Sequence, residues 1–439
     1  MGAGINGFLI RHFVAIVGVL ALLCYAAIYA RPHSPDPIRS DGYSYYVYLP
    51  SWLLHGDTTL DVVARTLPNG DYPAFTAIRR WPGTNRWVNP HPIGQALLMT
   101  PFFLVAHALT RASRLAPDGF SFYYQHAAGL AGLTYLLAGL AVLRRTLVRH
   151  CSTPVALATL AAMTWGTNLF HYGVYDSAFS HIYSFFLISV LLALVERWWA
   201  EPTAGRSVWL GLTSAAIFLT RHTNVLFLLT VPLYGVTDWR ALRERTRSLL
   251  QRWRSLLVMG LVAAVGVLPQ LLLYKTATGA WLPSPYGAIG AGFTFGPPHV
   301  FEVLFSPEKG VFFWSPVLLF AAAGWIVARG WAEAFQWSSA LVLAINTFLI
   351  ASWFDWQLGG SYGHRGFTDG LALVSVFMAA FFEWTGERRH RVLATSAVTV
   401  VASLAVLLSV AQMIQYWMGI LPIENTTWEQ YRALFLRFH

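Results

Sequence analysis

The chain offers few residues able to do chemistry, and they stand apart from its apolar bulk. The stretch Arg39-Ser40-Asp41-Gly42-Tyr43-Ser44-Tyr45-Tyr46 directly follows the first apolar run, so Asp41 lies where a membrane helix gives way to a polar loop. An ionisable group at a membrane boundary, ringed by aromatics, is a candidate functional group, here a general base. The alternative is that Asp41 caps a short helix by accepting a backbone N–H. Arg221-His222 interrupts the middle of the apolar run 208–236. A guanidinium at membrane depth is costly unless paired, and a phosphate matches its fork. The other outcome is a buried ion pair with Asp41 or Asp176.

Four further sets of residues carry weaker signals. The segment Asn89-Pro90-His91-Pro92 breaks a polar loop just before an apolar stretch, and Asp176, followed by Ser180-His181, interrupts two apolar runs. Asp176 and His181 could orient an acceptor or a sugar hydroxyl, or could be a helix cap and a satisfied histidine. Only two lysines, Lys275 and Lys309, stand against twenty-eight arginines. Their shared loop favours a compact ammonium beside a phosphate group. The loop from Trp353 to Arg365 combines Trp356, Gln357, the pair Gly359-Gly360, Tyr362 and Arg365. That mixture suits carbohydrate or a lipid head group, and it equally suits an interfacial aromatic belt.

The elements that must position these residues are membrane helices. Of the 439 residues, 56% are hydrophobic and only 11% charged, with a mean hydropathy of +0.50. These values exclude an ordinary soluble enzyme. The net charge of +10 resides in short arginine runs between apolar segments, the pattern of topology signals and lipid contact rather than of nucleic-acid binding. Cys24 and Cys151 fall on opposite ends of different spans and should not pair. No phosphate loop, dinucleotide fingerprint or zinc signature occurs in its required context, so no nucleotide is expected. The first apolar run has no small-residue cleavage site after it and is expected to be retained.

Apolar runs of spanning length occupy 8–30, 123–143, 154–170, 178–195, 255–274, 311–328, 334–352, 367–383 and 392–417. Stretch 92–109 is short and opens with prolines, and 208–236 is too long for one span. The basic clusters at 144–149, 240–254 and 388–391 all fall on the cytoplasmic side if 92–109 does not cross and 208–236 crosses twice. The spacing therefore predicts an all-α polytopic protein of about eleven spans, with a long first outer loop over 31–122 carrying juxtamembrane helices. Each hairpin arm has about fourteen residues, roughly 21 Å, against about 30 Å of hydrocarbon, so its Arg221 tip faces a cavity below the outer surface. The first loop holds eight arginines outside, which the charge rule tolerates because long loops are discounted. Asp41, His91, Asp176, His181, Arg221, His222 and both lysine and tryptophan loops then share one face.

Taken together these features resemble the GT-C superfamily of membrane glycosyltransferases, which use polyprenyl-phosphate-linked sugars. Ser40-Asp41-Gly42-Tyr43 resembles the family's loop acid, and Asn89-Pro90-His91-Pro92-Ile93-Gly94 its entry to a juxtamembrane helix. Phe218-Leu219-Thr220-Arg221-His222-Thr223 resembles its helix pair with arginine at the turn. Pro269-Gln270 to Tyr274-Lys275, with Gly279-Ala280-Trp281-Leu282-Pro283, resembles the stretch after its seventh helix. The likeness covers about residues 8–285, taken as a catalytic module, with 286–439 a variable region ending in a short outer tail. Asp41 stands alone where relatives carry a paired acid, which resembles enzymes of monophosphate-linked donors that do not generally need a metal.

The resemblance implies inverting transfer of a monosaccharide, such as an arabinosyl or mannosyl group, to a protein, lipid or glycan acceptor. It places the site on the periplasmic face of a bacterial inner membrane, in contact with membrane lipids. Asp41 would be catalytic, Arg221, Lys275 and Arg365 would hold the donor phosphate, and Tyr43, His91, Asp176, His181, His222, Trp356, Gln357 and Tyr362 would contact substrate. Two rivals remain at this point: a ligase or polymerase using a pyrophosphate-linked oligosaccharide, and a lipid or solute transporter, although no internal repeat supports the latter.

Overall fold

The computed structural model describes residues 2–31, 35–287, 290–387 and 391–438. Helix α1 (Gly2–Tyr29) leads into the first loop, which holds α2 (Asp41–Tyr46), α3 (Asp61–Thr66), a two-stranded hairpin of β1 (Arg79–Arg80) and β2 (Trp87–Val88), and α4 (Gly94–Arg111). Then follow α5 (Phe122–His150), α6 (Thr153–Trp165), α7 (Leu169–Val174), α8 (Ser180–Ala200), α9 (Ala204–Thr220), α10 (Thr230–Leu233), α11 (Trp239–Gln251) and α12 (Trp253–Thr278). The C-terminal part holds α13 (Val300–Phe305), α14 (Val311–Trp314), α15 (Leu318–Val327), α16 (Gln336–Ala351), α17 (Leu371–Gly386), α18 (Arg391–Trp417) and α19 (Trp428–Leu434). Among the described residues, apart from the small hairpin and an isolated bridge between Phe293 and Trp353, the regular structure is helical, as the apolar runs lead one to expect.

Seven of these helical segments are long and apolar enough to cross a membrane: Ile5–Tyr29, Phe122–His150, Ser180–Ala200, Trp253–Thr278, Glu333–Ala351, Arg365–Gly386 and Val392–Trp417. The other four expected segments form shorter helices, namely α6, α9, His222–Leu233 and α15. Polar groups at the C-terminal ends of two of them account for their shortening: Gly166-Thr167-Asn168 stops α6, and Arg221 in extended backbone stops α9. Of the basic clusters, that at 388–391 lies mostly outside the described residues.

Burial separates a centre from a rim. In their most apolar windows α8 is 67% buried and Arg365–Gly386 72%, whereas α12 is only 6% buried and α18 17%. Inner helices α8 and α17 therefore carry the site, while α12 and α18 present apolar side chains outward, as a helix facing lipid does. Pairings α5 with α8, α9 with α12 and α15 with α17 make up the bundle. The run 92–109 forms α4, which packs against α5 and α9.

Two glycines allow close approaches near the polar residues. A methyl group at Gly94 would meet the Leu219–Thr220 backbone, so the start of α4 rests directly on the end of α9 beside Arg221. One at Gly132 would overlap the Ser177 carbonyl, next to Asp176. Gly132→Ala is expected to cost about 1–3 kcal/mol through overpacking. Gly260→Ala, on α12 with no neighbour within 4 Å, should leave the melting temperature of detergent-purified protein unchanged or slightly raised. Equal melting temperatures for the two variants would contradict this packing.

Candidate active site

Asp41 is the first residue of α2, and Ser40 occupies the capping position without making a side-chain capping bond. Its carboxylate turns away from its own helix: Oδ2 lies 2.8 Å from Arg365 Nη1, and Oδ1 lies 4.0 Å from His91 Nε2. The turn that aims it is strained. Ser40 adopts φ 48° and ψ −135°, a region that costs a non-glycine residue about 1–3 kcal/mol. Its two neighbours are thereby sent to different partners, Asp41 to Arg365 and Arg39 to Asp176.

His91 forms the wall opposite Arg365. Its ring stands edge-on to Tyr45 at 4.6 Å between centroids, and Nε2 lies 3.5 Å from the Tyr286 hydroxyl. Ser180 donates to the Tyr45 hydroxyl at 2.9 Å, tying this wall to the start of α8. Arg365 also stands over the Phe179 ring at 5.5 Å.

Arg221 pairs with neither Asp41 nor Asp176, the two partners weighed from the sequence. It pairs with Asp369, through Nε to Oδ2 at 3.2 Å. Asn224 donates to the same oxygen at 2.9 Å. His181 lies 2.8 Å from the other oxygen through Nδ1, and its Nε2 lies 3.2 Å from Arg221 Nη1. Arg221 Nη1 lies 3.3 Å from Nδ1 as well, so it is the short contact with Asp369 that places the proton on Nδ1. Sequence reasoning missed Asp369 because it sits in the apolar run 367–383. The available signal was the polar triplet Thr368-Asp369-Gly370 at the head of that run. Arg365 and Asp369 lie four residues apart on a 3-10 segment, Arg365–Gly370, that leads into α17. This one segment supplies the cation for Asp41 and the carboxylate for Arg221.

Asp176 and His181 are likewise not a pair. Asp176 Oδ1 accepts from Arg39 Nη2 at 2.8 Å, and Oδ2 lies 2.8 Å from His171 Nε2. The Trp417 indole donates to His171 Nδ1 at 2.9 Å. Since the indole N–H is only a donor, His171 carries its proton on Nε2 and gives it to Asp176. Arg39 further donates to the Tyr175 carbonyl at 2.9 Å and lies over the Tyr175 ring at 4.6 Å. The result is a buried clamp behind the Asp41 turn.

The remaining sequence candidates fall around these clusters. Tyr43 stacks on Phe120 at 5.4 Å, and His222 packs against Phe218 and Tyr274. Tyr362 is buried and donates to the Ser409 carbonyl at 2.6 Å, and buried Trp356 stacks on His299. Gln357 is half-buried beside it. Lys275 is exposed at the end of α12, where it donates to the Gly279 carbonyl at 2.6 Å. Lys309 is buried and donates to the Ser361 and Ile423 carbonyls, fastening the 353–366 loop to the C-terminal segment. The arginines, not the lysines, are thus gathered at Asp41. Among the described residues no group of three or more His, Cys, Asp or Glu side chains is arranged to hold a metal ion.

Electrostatics give these groups definite charges. Burial raises the Asp41 carboxyl, but Arg365, joined by His91, His181 and Arg221, outweighs it and holds the group below its ordinary value. Burial pushes His91 down to about 4 against the pull of Asp41, so its imidazole is neutral at pH 7. Burial likewise raises Asp176, and Arg39 with the His171 hydrogen bond brings it down to about 2. Asp41 pairs with Arg365 and Asp369 with Arg221, which leaves this cluster of four without net charge. Both arginines keep N–H groups beyond those in the contacts above.

No family model matches the chain, and no curated protein matches it in sequence. Among solved structures, the apo oligosaccharyltransferase of Archaeoglobus fulgidus aligns with 98% of this chain at 12% identity and a TM-score of 0.49. The chain spans 60% of the length of that protein.

The clamp makes a stability prediction. The Asp176 carboxyl is depressed in the folded protein relative to its ordinary 3.8. Its contribution is therefore present above about pH 4 and lost as pH falls towards 2. Asp176→Asn, which strands the mostly buried Arg39 guanidinium, is expected to destabilise by about 3 kcal/mol. Arg39→Gln combined with it should cost much less than the sum of the two, measured by a double-mutant cycle on thermal unfolding.

Proposed function

We propose that this protein transfers a sugar from a polyprenyl-phosphate-linked donor to a hydroxyl of a protein, lipid or glycan acceptor, with inversion, at the outer face of a bacterial inner membrane. The observation that carries the reading is the Asp41 cluster: one ionised carboxylate held by Arg365, flanked by the neutral His91, within electrostatic range of Arg221. This is the equipment for proton removal beside an anionic leaving group. The residue pattern around Asp41, His91 and Arg221 that resembles the GT-C superfamily supports the same reading.

In the reaction the acceptor hydroxyl gives its proton to Asp41 as its oxygen attacks the anomeric carbon. The bond from that carbon to the phosphate oxygen breaks, and the polyprenyl phosphate leaves with the electron pair. Arg221 and Arg365 meet the charge growing on the phosphate, a stabilisation worth most in a site shielded from water. Arg221 holds Asp369 through Nε and His181 through Nη1, leaving Nη2 for the ligand. Asp369, His181 and Asn224 act by fixing the direction of that guanidinium. No nucleotide enters the reaction, because the phosphoester-linked sugar supplies the driving force.

Asp41→Asn is expected to lower kcat at least 100-fold, the usual range for a general base, while the protein still binds donor. Release of lipid phosphate from a panel of polyprenyl-phosphate sugars, with and without acceptor, measures this. Near-normal turnover in that variant sinks the assignment. Arg221→Lys keeps the charge and loses the fork, so KM for the donor should rise about tenfold. Orientation has its own test: Thr223→Cys, with Cys24 and Cys151 replaced by serine, should react with an impermeant thiol reagent from the outer side only. Labelling from both sides would favour a transporter.

A further inference from the structure

The end of the bundle away from Asp41 carries a basic surface of its own. Residues 238–254 hold six arginines against two acids. Helix α11, which makes up most of this stretch, buries none of its residues, and Trp239 at its start and Trp253 just past its end are exposed. A basic helix flanked by exposed tryptophans is suited to the plane of a membrane interface. Helix α8 shows which interface. Its first turn brings His181 to Arg221, its last turn holds Trp198 and Trp199, and its 21 residues extend roughly 30 Å, about the thickness of the hydrocarbon.

Two of the arginines are drawn in from solvent. Arg245 stands over the Trp199 ring at 3.8 Å, and Arg252 stands over the same ring at 4.8 Å and over Trp198 at 5.8 Å. Their platform is fixed, because the Trp199 indole donates to the Val231 carbonyl at 2.8 Å and the Trp198 indole to Ser207 Oγ at 2.9 Å. Gly235, at φ 75°, lets the Arg245 guanidinium rest against the backbone, where a methyl group would overlap Nη2. Both arginines are half-buried, whereas Arg240, Arg243, Arg247 and Arg254 are exposed.

Neither of the two has a counter-ion among the described residues, and the acids nearby in the chain are engaged elsewhere. Glu196 meets Arg149 and His150, Glu201 meets Arg206, Glu244 meets Arg240, and Asp238 accepts from the Ala241 N–H. Arg245 makes no hydrogen bond to the described residues, and Arg252 makes only a long one, 3.4 Å, to the Trp199 carbonyl. Burial, and then the neighbouring Arg252, push Arg245 below its ordinary value. Two partly dehydrated cations that repel each other and keep their forks unfilled call for an anion from outside the chain, and a phosphate fits such forks. The adjoining surface makes that phosphate a lipid's. Leu257, Leu261 and Val265 are exposed and stand four residues apart, forming an apolar stripe down α12 that begins one turn after Arg252.

We propose that Arg245 and Arg252, stacked on Trp199, bind the phosphate of an anionic phospholipid in the leaflet opposite the Asp41 cluster, with the lipid's acyl chains along Leu257, Leu261 and Val265. A zwitterionic head would bring its own cation to a surface that already has an excess of them. The lipid neutralises the two guanidiniums and ties α11 to the end of α8. The site lies at the other end of the bundle from the proposed reaction and does not depend on the transferase reading.

The test is native mass spectrometry of the purified protein equilibrated with mixed micelles that hold equal amounts of phosphatidylglycerol and phosphatidylcholine. The parent should retain phosphatidylglycerol in preference. Arg245→Gln and Arg252→Gln should each lower that retention about fivefold, the usual weight of one basic residue beside an anionic lipid surface. Arg240→Gln removes the same charge from the same helix but on another side of it, and should change retention less than about twofold. Phosphatidylglycerol should also raise the melting temperature of the parent more than phosphatidylcholine does, and this difference should vanish when Arg245 and Arg252 are both replaced, a readout that holds even if a variant is less stable by itself. Inorganic phosphate in large excess should not displace the lipid, because it has no chains for the α12 stripe. Equal retention of the two lipids by the parent overturns the proposal, as does displacement by inorganic phosphate. Equal losses from Arg240→Gln and Arg245→Gln overturn it too, since they would reduce the effect to the general charge of this face.

Discussion

Two ion pairs made by one short segment hold the polar face of this bundle together. Arg365 meets Asp41 at 2.8 Å, and Asp369, one turn further on, meets Arg221 at 3.2 Å. Asp41 and Arg221 each depend on their partner, because removing one member of a largely buried pair leaves a charge that water reaches only in part. The segment Arg365–Gly370 acts as a clip between the first loop and the α9 hairpin. The helices α8 and α17 that carry the clip's surroundings are the most buried of the spanning segments, which gives the charges a rigid, poorly hydrated setting.

That setting also makes the charges useful. A cluster whose positive and negative groups cancel can accept an anionic group without first expelling one, and Arg221 holds its orientation through Asp369 and His181. Behind Asp41, the chain from Trp417 through His171 and Asp176 to Arg39 fixes the turn at Ser40. The strain stored there is sustained by this clamp on one side and by Arg365 on the other. Both ends of the polypeptide thus converge on one carboxylate: α18 supplies Trp417, α1 and its following loop supply Arg39, and the segment before α17 supplies Arg365. The cluster takes residues from both sides of the boundary expected near residue 285.

Much of the architecture was legible because hydropathy and arginine placement are local signals. Helices appear at each of the eleven apolar segments, although four are too short for an ordinary span, and the run 92–109 is a helix within the first loop. Asp41, His91, Arg221 and Arg365 were all visible as polar residues in places where polarity is expensive. Their partners were not. Asp369 was hidden by the apolar residues around it, and the pairing of Asp176 with Arg39, 137 positions away, leaves no trace in spacing.

By itself the sequence determined that the chain is helical with apolar segments of membrane-spanning length and that its few polar interruptions are costly there, since both follow from the cost of polar groups in hydrocarbon. Tertiary structure alone decided which charge neutralises which. Membrane burial demands a partner for every ion but does not name it; the choice depends on which helix ends the packing brings within about 3 Å. Here close packing at Gly94 sets the loop against α9 and close packing at Gly132 sets α5 against the Ser177 turn, and in that arrangement Asp41 meets Arg365, Arg221 meets Asp369 and Asp176 meets Arg39.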